Sequence, residues 1–212
     1  MKYKAIIFDL DGVICHTDHY HYLAWKQIAD KLGVYFDETI NNRLRGVSRM
    51  ESLDIILERL EDRILVKEEK VRLAEDKNEI YKELLREMST QDLSKEVKDT
   101  LDFLRAHGLK LAIGSSSKNA RLILTQIGLE NYFDEISDGN NITRSKPHPE
   151  VFLKAAEYLK IEPTDCLVVE DAKAGIEAAQ AAGMDSAAIG DACGYPIATY
   201  NLYKFSALIC FA

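Results

Sequence analysis

Along this chain the apolar positions change their spacing twice. A short continuous run, Ala5-Ile6-Ile7-Phe8, opens it and stops at Asp9-Leu10-Asp11-Gly12. A run that short and that apolar fits a strand buried on both faces of a parallel sheet. From residue 20 the spacing becomes helical. Trp25, Ile28, Ala29 and Leu32 share one face over 20–33, with Gly33 as the stop. A short helix is expected over 37–45. Ser48 then reads as the cap of a helix through Leu53, Ile56, Leu57 and Leu60. A long helix, charged on one side, is expected over 66–88. No strand pattern occurs between 20 and 88, so about 70 helical residues interrupt a chain that otherwise alternates, which marks an inserted domain.

From residue 93 the alternation resumes. Val97, Leu101 and Leu104 share a helix face that ends at His107-Gly108, and 109–113 is a buried strand followed by Gly114-Ser115-Ser116-Ser117-Lys118-Asn119. A helix over 120–127 and a short strand over 133–136 come next. Pro149 opens a helix carrying Val151, Phe152, Ala155 and Tyr158. Cys166-Leu167-Val168-Val169 is a third buried strand and runs into Glu170-Asp171, a helix spans 172–182, and 186–189 is a further strand. The tail from Gly190 is weakly patterned, with an apolar finish that suggests a last helix, cut short or packed down. The pattern predicts an α/β fold: a Rossmann-like parallel sheet with helices on both faces (1–16 and 90–212) and an inserted four-helix cap (17–89).

Composition narrows the function classes. Of 212 residues, 47% are hydrophobic and 29% charged, ordinary values for a soluble globular protein. A net charge of −8 argues against a nucleic-acid backbone as general partner, and no apolar run approaches a membrane span. Cys15, Cys166, Cys193 and Cys210 lack metal-finger spacing and read as reduced, mostly core residues of a cytoplasmic protein.

The candidate chemistry lies at the strand ends. Parallel strands bring their carboxyl ends to one edge of the sheet, which would gather Asp9 and Asp11, then Ser115, then Glu170 and Asp171. Strand alternation would point Asp9 and Asp11 the same way. Four carboxylates at one spot repel strongly unless a cation joins them, and an all-oxygen set favours Mg2+. An EF-hand reading fails because its first ligand position falls on Ile7, while a simple strand-terminating turn remains open for the stretch taken alone. Lys146, stiffened by Pro147 and Pro149, can offset a phosphoryl charge or stand as a solvated loop lysine. Ser115 to Ser117 can cap the next helix or help hold an anion. The loop over 138–144 has no assignable role, though its acidic and amide groups would suit a metal shell.

Four ordered motifs, Asp9-Leu10-Asp11-Gly12, Ser115 after an apolar strand, Lys146 before Pro147, and Glu170-Asp171 after Leu167-Val168-Val169, resemble the haloacid dehalogenase superfamily over nearly the whole chain. The resemblance implies that Asp9 is a nucleophile forming a phosphoaspartate and that Asp11 is the general acid and base. It further implies that Ser115 and Lys146 hold the transferring phosphoryl group. Mg2+ would be held by Asp9, the Asp11 backbone carbonyl, Glu170 and Asp171. Within the superfamily, Thr17, Tyr20, His21, Trp25, the stretch Leu44-Arg45-Gly46-Val47-Ser48-Arg49, Lys77-Asn78 and Ser117-Lys118-Asn119 resemble the beta-phosphoglucomutase family. That implies a hexose phosphate as small-molecule partner and a beta-glucose 1,6-bisphosphate intermediate or activator. Arg49 would grip the distal phosphate, helped by Ser117, Lys118 and Asn119. His21 and Lys77 would position Asp11 and the sugar, Gly46 and Val47 would offer backbone contacts, and Thr17, Trp25 and Ser48 would complete the substrate-binding set. Taken singly, Arg49 reads equally as a surface arginine and His21 as a helix-face histidine. The enzyme alternative is a Mg-dependent sugar-phosphate phosphatase, and outside enzymes a phosphate-binding module on the same fold. A monomer without nucleic-acid or membrane partners is expected.

Overall fold

The computed structural model describes residues 2–44, 47–60 and 64–212. The chain divides into two compact units, Met1–His16 with Met88–Ala212, and Thr17–Glu87.

The first unit is built on a six-stranded, all-parallel sheet: β1 (Ala5–Phe8), β2 (Lys110–Gly114), β3 (Glu135–Ser137), β4 (Cys166–Glu170), β5 (Asp185–Ala188) and β6 (Tyr200–Asn201), in the order β3-β2-β1-β4-β5-β6. This is a doubly wound order whose direction of travel reverses between β1 and β4, and the crevice at that switch is where such sheets bind ligands. The register places Phe8 level with both Ile113 and Val169. Asp9, whose N–H continues the ladder to the Val169 carbonyl at 2.9 Å, therefore comes level with Glu170 and Gly114.

β1 and β4 are wholly buried because helices cover both faces. Ala5, Ile7, Ala112 and Val168 pack with Val151, Phe152, Ala178 and Ala179 on one face. On the other, Phe8 stacks on Phe205 and meets Phe133. In sequence order, the second unit contributes α1 (Asp18–Leu32), α2 (Glu38–Asn42), α3 (Arg49–Leu57) and α4 (Lys67–Leu85), and the first contributes α5 (Lys95–Ala106), α6 (Ala120–Gln126), α7 (Glu150–Leu159) and α8 (Lys173–Ala181).

One local reading is corrected, and the last helix expected at the apolar finish is present as a packed-down 3-10 turn. The strand expected over 133–136 starts at Glu135; Asp134 before it still donates its N–H to the Leu111 carbonyl at 2.8 Å, while its carboxylate takes the Leu111 N–H and Lys110. The weakly patterned tail holds β6 and a 3-10 turn over Phe205–Phe211, whose Phe205 and Leu208 are buried. A two-residue edge strand is too short to impose a period.

The helical unit has its own core, in which Trp25, Ile28, Phe36, Ile40, Leu53, Ile56, Leu73 and Ala74 meet. Ser48 caps α3 as its position suggested: its Oγ accepts the Glu51 N–H and Glu51 returns the bond to the Ser48 N–H. Among the described residues no helix is long and apolar enough to cross a membrane.

Candidate active site

β1 and β4 end side by side, and their polar punctuation meets there. Asp9, Glu170 and Asp171 each offer a carboxylate oxygen within 4.8 Å of one another. Lys146 comes to them from the loop after β3. Its ammonium donates to Asp9 Oδ1 at 2.5 Å and Glu170 Oε1 at 2.6 Å and lies 4.7 Å from the centre of the Phe152 ring. Lys146 is 8% exposed, which removes the reading of a solvated loop lysine. The second Glu170 oxygen accepts the Ala172 N–H.

Burial works against the Lys146 charge, but the Asp9 and Glu170 carboxylates outweigh it and hold the ammonium above its ordinary pKa of 10.5. Burial pushes the Glu170 carboxyl up; Lys146 opposes that rise and Asp9 adds to it. The two shifts pull in opposite senses for one ion pair. Two carboxylates, Asp9 and Glu170, sharing one ammonium explain both, because the shortage is of positive charge and Lys146 keeps its proton.

That shortage is the test of a metal. The donors are hard oxygens, they converge, and two negative charges remain after Lys146 is counted, so the residues fit Mg2+. The backbone crowds the same carboxylates. Gly12 has φ +84°, and a Cβ there would lie 2.0 Å from Asp171 Oδ2. A Cβ on Gly175, in the first turn of α8, would lie 1.8 Å from Glu170 Oε1. Both positions need glycine for the carboxylates to stay where they are.

The expectation of four gathered carboxylates is corrected to three. β1 stops at Phe8, so strand alternation no longer aligns Asp11 with Asp9. Asp11 sits in a tight turn bridged to Cys15, with the Gly12 N–H donating to the Cys15 carbonyl at 2.7 Å, and its carboxylate lies outside the cluster. Cys15 beside it is buried, and burial pushes its thiol up.

Ser115 is buried beyond β2. Its N–H donates to the Ser137 carbonyl, and its Oγ accepts the Ser117 N–H at 3.1 Å. Ser117 Oγ accepts the Asn119 N–H in turn; Asn119 is buried and Lys118 exposed. The 138–141 turn packs on the serine loop, with Gly139 N–H on the Ser117 carbonyl and Asn140 Nδ2 on the Lys118 carbonyl.

In the helical unit, α1 and α4 bring His21, Trp25 and Lys77 together. Lys77 Nζ donates to His21 Nδ1 at 2.8 Å and lies 5.0 Å from the Trp25 ring centre and 4.4 Å from that of Tyr81. His21 stacks on Tyr81 at 4.1 Å. Burial, then Lys77 and Arg49, hold the His21 pKa well below 6.5, so the ring is neutral and accepts from Lys77. Arg49 donates to Asn78 Oδ1 at 2.8 Å, and burial lowers its pKa. Thr17 is buried, its carbonyl accepting the His21 N–H. Trp25 is a core residue, and the Ser48 hydroxyl is engaged in capping. Val47 is exposed, and Gly46 lies outside the described residues. Tyr81 and Phe152 were missed as site residues; each follows a partner by helical or loop proximity that an apolar count reads only as core.

Residues 3–183 match the family described as hydrolase, haloacid dehalogenase-like hydrolase. A beta-phosphoglucomutase of Bacillus subtilis is 40% identical over 188 residues, covering 88% of this chain and 83% of that protein. A phosphorylated carbohydrates phosphatase of Thermotoga maritima is 33% identical, covering 86% and 82%. Among solved structures, a beta-phosphoglucomutase from Clostridium difficile superposes with a TM-score of 0.88 at 39% identity, covering 97% of this chain and 93% of that one.

Proposed function

The chain belongs to the haloacid dehalogenase-like hydrolases, and from that premise we propose that this enzyme is a beta-phosphoglucomutase, interconverting beta-glucose 1-phosphate and glucose 6-phosphate. Enzymes that move phosphoryl groups on sugars, mutases and phosphatases alike, are its relatives. The observation that carries the finer reading is Arg49. Among the described residues this half-buried guanidinium hydrogen-bonds a neutral amide, Asn78, and no carboxylate. A cation held that way is suited to an anionic group of the substrate, since a bidentate guanidinium matches a phosphate. A mutase must hold the phosphate that is not being transferred, and Arg49 supplies that grip.

The chemistry proceeds on Asp9. One Asp9 oxygen attacks phosphorus, the bond to the leaving sugar oxygen breaks, and Asp11 protonates that oxygen. Lys146 neutralises charge on Asp9 and the phosphoryl group, and Ser115 donates to a phosphoryl oxygen. Asp11 then takes a proton from the hydroxyl of the incoming sugar, whose oxygen attacks phosphorus and restores the Asp9 carboxylate. Applied to beta-glucose 1-phosphate, the transfer gives beta-glucose 1,6-bisphosphate, which turns round and returns its other phosphate. Asp9, Glu170, Asp171 and the Asp11 carbonyl would hold Mg2+, which supplies Lewis-acid charge to the phosphoryl oxygens. Lys77 holds the neutral His21 for contact with the sugar.

The resemblance to a carbohydrate phosphatase supports a second reading, hydrolysis of a sugar phosphate. Phosphorus NMR of beta-glucose 1-phosphate with protein and Mg2+, with and without glucose 1,6-bisphosphate, separates the two. Glucose 6-phosphate as main product is expected, and inorganic phosphate as main product rejects the mutase.

A further inference from the structure

Two loops carry the groups assigned to the phosphoryl: the one after β2 with Ser115 and the one after β3 with Lys146. Both are tied to the first two turns of α7. Glu150, its first residue, turns its carboxylate back on the loop before it. Both oxygens lie 3.1 Å from the Thr143 N–H, and Oε2 also accepts from Thr143 Oγ1 and the Arg144 N–H, each at 2.9 Å. One turn on, Lys154 Nζ donates to the Asn141 carbonyl at 2.5 Å and lies 3.8 Å from Glu150 Oε1. The 138–141 turn passes the restraint to the serine loop through its bonds to the Ser117 and Lys118 carbonyls. It can approach so closely because residue 139 is glycine, where a Cβ would meet the Ser116 carbonyl at 2.5 Å.

α7 is a firm anchor for this. Val151, Phe152, Ala155 and Ala156 are buried against the sheet, and the Phe152 ring lies beside the Lys146 ammonium. We infer that Glu150 is a positioning residue: its carboxylate fixes the backbone of Thr143 and Arg144, two residues before Lys146, so that the ammonium stays between Asp9 and Glu170. The competing role for an acid in the first turn of a helix is to complement the helix dipole, which needs no particular loop geometry. The donors on Glu150 come from the preceding loop, and a lysine whose tether relaxes loses alignment with the phosphoryl. Misplacement of about 1 Å lowers rate on the order of 100-fold.

The inference rests on the reading that Asp9 receives the phosphoryl group. The experiment therefore uses the full chain with Mg2+ and acetyl phosphate as donor, and measures kcat, KM and Tm for five variants. Glu150→Gln keeps the shape but presents an amide N–H to the N–H donors, and its kcat is expected to fall about 10- to 100-fold with KM changed less than about 3-fold. Glu150→Asp is shorter but keeps the charged acceptor, and it should retain more activity than Glu150→Gln at similar Tm. The reverse order, or a Glu150→Gln kcat within about 2-fold of wild type, overturns the positioning role. In a Lys146→Ala background, Glu150→Gln should lower kcat no further; a full additional loss shows that Glu150 does not act through Lys146 and overturns it too. If that double variant does not fold, the order of the single variants decides. Asp9→Asn tests the underlying reading: turnover surviving there removes the nucleophile, whereas turnover lost there with Glu150→Gln unaffected removes only the positioning role.

Discussion

A carboxylate is placed as much by what lies behind it as by its own bonds. Glu170 has Gly175 at its back, and a methyl group there would overlap Oε1. Gly175→Ala is therefore expected to raise the dissociation constant for Mg2+ about 10- to 100-fold, the usual effect of disturbing a ligand's support, as read by titration calorimetry. An unchanged constant would place the ion elsewhere. His21 makes a different prediction. Its folded pKa lies well below 6.5 and the unfolded chain takes a proton near 6.5. The unfolded state thus binds more protons as pH falls through that window. The stability attached to a neutral His21 is full above about pH 6.5 and is lost below it. His21→Gln should flatten the decline in the stability of the helical unit between pH 7 and 5, followed by urea midpoints. A slope equal to wild type would mean that His21 is not the group refusing the proton. Both effects are beyond sequence reading, because neither glycine nor histidine carries a pattern that says what it faces.

At the scale of elements, α3 links stability to recognition. The box between Ser48 and Glu51 satisfies free N–H groups at its start, and Arg49 is its first residue. Ser48→Ala should cost about 1 kcal/mol of the helical unit's stability. It should also weaken mutase turnover more than hydrolysis of a small aryl phosphate, since only the former needs the grip of Arg49. Equal losses in the two assays would separate Arg49 from substrate recognition. Elements with strong local signals were legible beforehand: β1, β2 and β4 as apolar runs, α5 and α7 by period, α3 by its cap. β6 was not, having two residues and an exposed Asn201. The start of β3 was displaced because Phe133 looks like a strand residue but packs on Phe8 beyond the ladder. Such choices are made by neighbours, and local propensity gives way to them.

For the whole molecule, the sheet order brings three carboxylates and one ammonium to the reversal point, a concentration of negative charge that a bound cation relieves. Mg2+ at 100 times its dissociation constant should stabilise the protein by about 2.7 kcal/mol, seen as a rise in Tm, and removal with a chelator should reverse both this and turnover. Asp171→Ala should abolish most of the rise; a rise of wild-type size in that variant would exclude the cluster as the site. What the sequence by itself determined was the set of parts: buried strands, helices with their caps, one helical insertion, and acids, a serine and a lysine at element ends. Those follow from short-range sterics and from which faces must leave water. Tertiary structure decided how closely the parts meet and which of them stay apart. Lys146 and Asp9 are 137 residues apart and touch, Asp11 lies two residues from Asp9 with its carboxylate outside the cluster, and Glu150 faces backward onto its own loop. Register, turn geometry and helix docking set those distances, and a one-dimensional pattern of apolar and polar residues has no term for them.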